Sequence, residues 1–126
     1  MLERMLETAQ WHVNTLLFDV NRLQQNKMSV HSGLRFAILK PKNASSSNGI
    51  VRIEYKLFSK DTQPFFETNF LVRYETDLNN LRQTEKNVFI KYAYGLFCRF
   101  VENFAKTSNI PMFPLPTFED IEKGSV

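Results

Sequence analysis

The side chains with most scope for chemistry in this 126-residue chain are His12, His31 and the lone Cys98. Neither histidine has a cysteine or carboxylate at a ligand-like spacing such as His-x-x-x-His or Cys-x-x-Cys, so no metal site is expected. Cys98 falls beside a run of apolar residues at helical spacing, and no basic cluster near it in sequence would lower its pKa. It reads as a small packed thiol rather than a nucleophile. Ser45, Ser46 and Ser47 lack the Gly-x-Ser-x-Gly turn that exposes a strained nucleophile. Gly33, Gly49, Gly95 and Gly124 are too dispersed for a phosphate loop or a dinucleotide fingerprint. Glu119, Asp120 and Glu122 read as an exposed acidic segment near the C-terminus. Catalytic residues, cofactors and metals are therefore not expected, and function is sought in binding.

For binding, the conspicuous resource is aromatic. Twelve phenylalanines in 126 residues is a heavy load, and rings and methionines offer large contact area without demanding one partner shape. Phe65, Phe66, Met112, Phe113 and Phe118 are candidates for contact with another polypeptide. Leu71, on an otherwise polar strand face, and Trp11, near the chain start, are stronger candidates for a surface that meets another chain. Phe89, Phe97, Phe100 and Phe104 are assigned to the core or to an interface between subunits.

The net charge of +3 invites a nucleic-acid reading, but the cations are scattered. Arg52, Lys56, Lys60 and Arg73 alternate with Glu54, Asp61, Glu67 and Glu75, as on a solvated mixed surface, and no recognition helix or Cys/His finger accompanies them. Nucleic acid is thus not the expected partner. A single cysteine suits a reducing cytoplasm better than secretion. The acidic residues in Met1-Leu-Glu-Arg-Met-Leu-Glu stand where a signal peptide would be basic, and no apolar run is long enough to span a membrane. A cytoplasmic location is expected.

Periodicity predicts the elements that hold these residues. Val51, Ile53, Tyr55 and Leu57 alternate with Arg52, Glu54 and Lys56, predicting a half-buried antiparallel strand over 50–58. Phe66, Phe70, Val72 and Tyr74 repeat the pattern over 65–75, and Ser59 to Pro64 reads as a tight hairpin connection. Another strand is expected over 28–40, from Met28, Val30, Leu34, Phe36 and Ile38, followed by a Ser/Asn/Gly-rich loop from Pro41 to Gly49. A further strand is expected near 12–22, with Leu16, Phe18 and Val20 on one face and Val13 out of step, while residues 1–10 suit a short helix. After Leu78 the period becomes helical: Phe89, Ala93, Leu96, Phe97, Phe100 and Phe104 share one stripe over 82–106, widened by Val88, Tyr92 and Val101. Asn80 or Thr84 would cap its start, and Lys106 to Asn109 followed by Pro111 would end it. A stripe of this kind needs a cover, which predicts an α+β domain with a four-stranded antiparallel sheet and the long helix packed on one face.

This order of elements, ending in Ile110-Pro-Met-Phe-Pro-Leu-Pro-Thr-Phe-Glu-Asp-Ile121, resembles the SecB family of export chaperones. Chains of that family run through a four-strand antiparallel sheet into a helix and then a segment of the form Phe-Pro, Leu, Pro, Phe; the matching positions are Pro111, Leu115, Pro116 and Phe118. Phe70 and Leu71 fall where the family carries a Phe-Leu pair, and Leu96 and Phe97 where its helix often carries Leu-Phe, with Arg99 nearby. The resemblance covers residues 12 to 121. It implies one SecB-like domain over 1–126, with 1–11 an ill-defined N-terminal extension and 122–126 a short tail. It also implies a non-catalytic holdase for unfolded or partly folded polypeptides, assembled as a dimer or tetramer. Family members that hand cargo to the SecA motor are acidic on the outer sheet face and carry a dedicated C-terminal tail. Here that face is mixed and basic, and five residues follow Ile121, so a dedicated chaperone, such as one guarding an antitoxin, is expected rather than an export factor. The alternative is a regulatory adaptor on the same fold, specific for one partner protein or for nucleic acid.

Overall fold

The computed structural model describes residues 2–19, 31–39, 48–58, 64–109 and 115–122. Within them the elements are α1 (Leu2–Glu7), β1 (Gln10–Phe18), β2 (His31–Leu39), β3 (Gly49–Phe58), β4 (Pro64–Tyr74), a 3-10 turn (Leu78–Asn80), α2 (Gln83–Thr107) and α3 (Phe118–Glu122). The loop expected over 41–47, the hairpin connection over 59–63, and Val20, Met28 and Val30 fall outside the described residues.

The four strands form one antiparallel sheet in the order β1-β4-β3-β2, as the alternating patterns require. Register places Val51 opposite Val72, Ile53 opposite Phe70 and Leu57 opposite Phe66, so the apolar halves of the central strands share one face. That face takes the 25-residue helix α2, whose Phe89, Ala93, Phe97 and Val101 recur at spacing four and are fully buried. Phe97 sits edge-on between Tyr55 and Phe70, with ring centroids 5.5 Å from each. Tyr74 lies 4.8 Å from Phe89 and donates its hydroxyl to the Phe89 carbonyl at 2.8 Å, so a buried phenol finds its partner in the helix it packs on. Burial raises the Tyr55 and Tyr74 hydroxyl pKa values. The sheet-plus-helix α+β architecture expected from the sequence is the one observed.

Two irregularities explain where simple alternation fails. In β1 the pairing with β4 slips between Val13 and Thr15, so Asn14 is an extra residue and Val13 rejoins Leu16 and Phe18 on the helix side. The Thr15 carbonyl beside this bulge accepts a hydrogen bond from the hydroxyl of Thr68 at 2.9 Å, which satisfies a threonine buried on the apolar face. In β4 the register slips where Leu57 faces Phe66 but Phe58 faces Pro64, leaving Phe65 as the extra residue. A bulged residue is re-aimed, and here both Phe65 and Phe66 are buried.

The ends of α2 differ from expectation at one side. Neither Asn80 nor Thr84 caps it: Asn80 closes the 3-10 turn, whose own cap is Asp77, and the residue before the helix is Arg82. The Glu85 carboxylate reaches back to accept from the Arg82 backbone N–H and from its Nε, both at 3.2 Å, and these bonds lower the Glu85 pKa. The expected stop is observed. Asn109 adopts φ 55°, a left-handed conformation asparagine tolerates, and its N–H bonds back to the Lys106 carbonyl at 3.2 Å. Gly49 is required by a close approach, since a Cβ there would stand 2.5 Å from Leu78 Cγ and 2.7 Å from the Thr76 carbonyl. Among the described residues no helix is long and apolar enough to cross a membrane.

Candidate functional site

An edge strand offers its backbone on one side and, if its side chains are apolar, a sticky flank as well. β1 is such a strand: it lies at the edge of the sheet, pairs with β4, and carries Trp11, Leu16 and Leu17. All three are between 45% and 49% exposed, far above what large apolar side chains on a packed sheet retain. Trp11 and Leu16 are on the helix side, opposite Val72 and Thr68, whereas Leu17 faces the other way, opposite Glu67.

α2 continues this strip. Val88, Tyr92, Leu96 and Phe100 follow one another at spacing four, hence along one flank of the helix. Val88 and Tyr92 are exposed at 39% and 37%, while Leu96 and Phe100 are half-buried. The row meets β1 at Trp11, whose indole stacks on Phe70 with centroids 5.2 Å apart and stands 5.9 Å from Phe100. Further along, Phe18 is 5.3 Å from Phe104. An aromatic seam thus joins β1 to α2, with its outer rim open to solvent.

The candidates named from sequence are not gathered into one patch. Trp11 lies in the strip. Leu71 is half-buried on the opposite sheet face, between His12 and Arg52 in register. Phe65 and Phe66 are at most 1% exposed; packed in the core by the β4 bulge, they present no surface to another chain in this form. Phe118 is half-buried in α3, beside Phe36 of β2 and Tyr94 of α2 with centroids 6.4 and 6.2 Å away. The Tyr94 hydroxyl donates to the Pro116 carbonyl at 2.6 Å, so residues 115–122 return to the β2 side of the helix, away from Trp11. Met112 and Phe113 fall outside the described residues.

Sequence reading missed Leu16 and Leu17 as surface and counted Val88 and Tyr92 as part of the buried stripe. A signal was present: adjacent leucines in a strand point to opposite faces, so at least one must leave the core. For the helix, a stripe as wide as Val88 to Val101 exceeds what one sheet can cover, and Val101 is the edge that is buried.

Cys98 is half-buried beside Tyr94, and burial raises its thiol pKa, which keeps it protonated near neutrality. Among the described residues no three His, Cys, Asp or Glu side chains converge as a metal site.

No protein-family model matches the chain, and no curated protein matches its sequence. Among solved structures, the chain is similar to the SecB-like chaperone Rv1957 of Mycobacterium tuberculosis, determined in complex with a ChAD peptide from the Rv1956 HigA1 antitoxin. The TM-score is 0.50 at 15% identity, and the match covers 90% of each chain. At that identity the likeness concerns the fold: a SecB-like sheet with one long helix across it.

Proposed function

We propose that this protein is a SecB-like chaperone that holds unfolded or partly folded polypeptides through apolar surface, without catalysis, in the cytoplasm. The observation that carries this reading is the strip of Trp11, Leu16, Val88 and Tyr92, four large apolar side chains each more than a third exposed along an edge strand and the adjoining helix flank, with Leu17 exposed on the other face of the same strand. An extended client fits such a strip because its backbone can pair with β1 while its side chains settle on the rings. Self-association as a dimer or tetramer is part of the proposal, with some of the strip closing on identical subunits and the remainder left for clients. The chain behaves as one SecB-like domain.

The test is suppression of aggregation of a chemically denatured client at stoichiometric ratio, comparing the native protein with Leu16→Glu. Suppression by the native protein and its loss in the variant, with both folded by circular dichroism, is the expected outcome. A client that aggregates unchanged beside folded native protein ends the holdase reading.

A second reading has its own support. The SecB-like neighbour holds a peptide from an antitoxin, and the outer sheet face of this chain carries Arg35, Arg52 and Arg73 rather than a carboxylate field. On this reading the protein guards one dedicated partner. Saturable binding to a single co-purifying chain, with little retention of generic denatured polypeptides, would favour it over a general holdase.

A further inference from the structure

The sheet face turned away from α2 has a charge pattern that the apolar strip does not use. Arg73 on β4 pairs across to Ile50, and Arg52 is two residues along β3 from Ile50. Arg52 pairs across to Ala37, and Arg35 is two residues along β2 from Ala37. The three arginines therefore descend the face as one diagonal, each step being the cross-strand diagonal of about 7–8 Å. Arg73 is exposed, and the Arg35 side chain is 81% exposed.

Their charges are incompletely matched from within the chain. Glu54 stands 3.2 Å from Arg52 Nε and 3.8 Å from Arg35 Nη1, so one carboxylate is shared by two guanidinium groups. Glu67 is 3.5 Å from Lys56 and belongs to that pair. Among the described residues Arg73 has no acidic partner: its Nε and Nη2 donate to the neutral amide oxygen of Asn48 at 3.3 and 2.6 Å, and Glu75, two residues on, forms no ion pair with Arg73. Three cations against one carboxylate leave an anion preference along the diagonal.

We propose that this face docks an extended acidic segment of another protein, with Arg73, Arg52 and Arg35 receiving carboxylates from alternate positions of that segment. The spacing suits it. Alternate side chains on one side of an extended chain repeat every 6.8 Å or about that, close to the step of the arginine diagonal. Guanidinium groups take carboxylates bidentately, which gives arginine an advantage over lysine on a flat surface. A single-stranded nucleic acid is disfavoured because a sheet that binds one presents aromatic rings for base stacking. Between Ile50 and Lys56 on β3, and between Glu67 and Arg73 on β4, this face presents none. The inference does not rest on the general-holdase reading, whose strip centres on the other side of the sheet; it gives the dedicated partner of the second reading a chemistry.

Fluorescence anisotropy of rhodamine-labelled oligoglutamate at low salt, with full-length protein, tests it. Arg73→Glu is compared with Lys91→Glu, which makes the same change in net charge on α2. The expected result is saturable binding weakened at least about fivefold by Arg73→Glu and less than about twofold by Lys91→Glu. Arg73→Gln, which removes charge without adding repulsion, is expected to weaken binding in the same direction and serves if the reversal does not fold. Equal losses in Arg73→Glu and Lys91→Glu would reduce the effect to net charge and overturn the site. So would absence of saturable binding to folded native protein, or tighter binding of oligouridylate than of oligoglutamate. Aggregation suppression measured on the same variants reports separately on the apolar strip.

Discussion

Trp11 concentrates the account at a single residue. A tryptophan costs free energy to leave half in water, yet this one is held by stacking on Phe70 and by the nearby Phe100 ring rather than folded under. A rigid, pre-placed indole gives a partner contact area with little side-chain entropy left to lose. Cys98 illustrates the opposite case, a thiol whose surroundings favour its protonated form. Burial raises its thiol pKa, so the thiolate fraction at neutral pH is smaller than for a free cysteine. Alkylation by iodoacetamide is expected to be slower in the native protein than in urea, with a rate still climbing as pH passes the ordinary thiol value of 9.0. A native rate that levels off well below that pH would show an activated thiol and reopen the question of chemistry at this position.

Among the elements, α2 and the two central strands are a closed system and β1 is not. The closed part was legible in sequence because period-two strands and a period-four helix agree on one interface; Val51, Ile53, Phe70, Val72, Phe89 and Phe97 all fall where their spacing puts them. Phe97 contacts both central strands, so Phe97→Ala is expected to destabilise by about 3–5 kcal/mol in urea unfolding with little change in slope. A loss below about 1 kcal/mol would mean the helix is not anchored there. At the helix end, Asn109 holds φ 55°. Asn109→Gly should be neutral or slightly stabilising, and Asn109→Val should cost about 1–2 kcal/mol, because a β-branched side chain is strained in the left-handed region. The bulges were harder to read. Val13 out of step with Leu16 was visible, but a mismatch alone does not say whether a strand ends, twists or gains a residue; the pairing partner decides, and that is a long-range fact. The same holds for Phe65, whose burial depends on the slip against Phe58 and Pro64.

At the scale of the whole molecule, one sheet has two faces and two edge strands, β1 and β2, and the described residues cover them unequally. α2 lies over the inner face, residues 115–122 return along its β2 side, and the β1 side keeps a rim of exposed apolar groups. That imbalance was only half visible in sequence. The excess of aromatic residues signalled more greasy surface than one small core needs, but which residues stay outside depends on how far α2 reaches across the sheet. Assignment of this rim to polypeptide binding is the central claim, and the single tryptophan reports on it directly. The decisive measurement is Trp11 emission during titration with a denatured, reduced and alkylated polypeptide that lacks tryptophan. Binding along β1 and α2 predicts a saturable blue shift as the indole leaves water. An emission spectrum that stays unchanged while the client is retained by the protein would place the grip elsewhere and contradict the account.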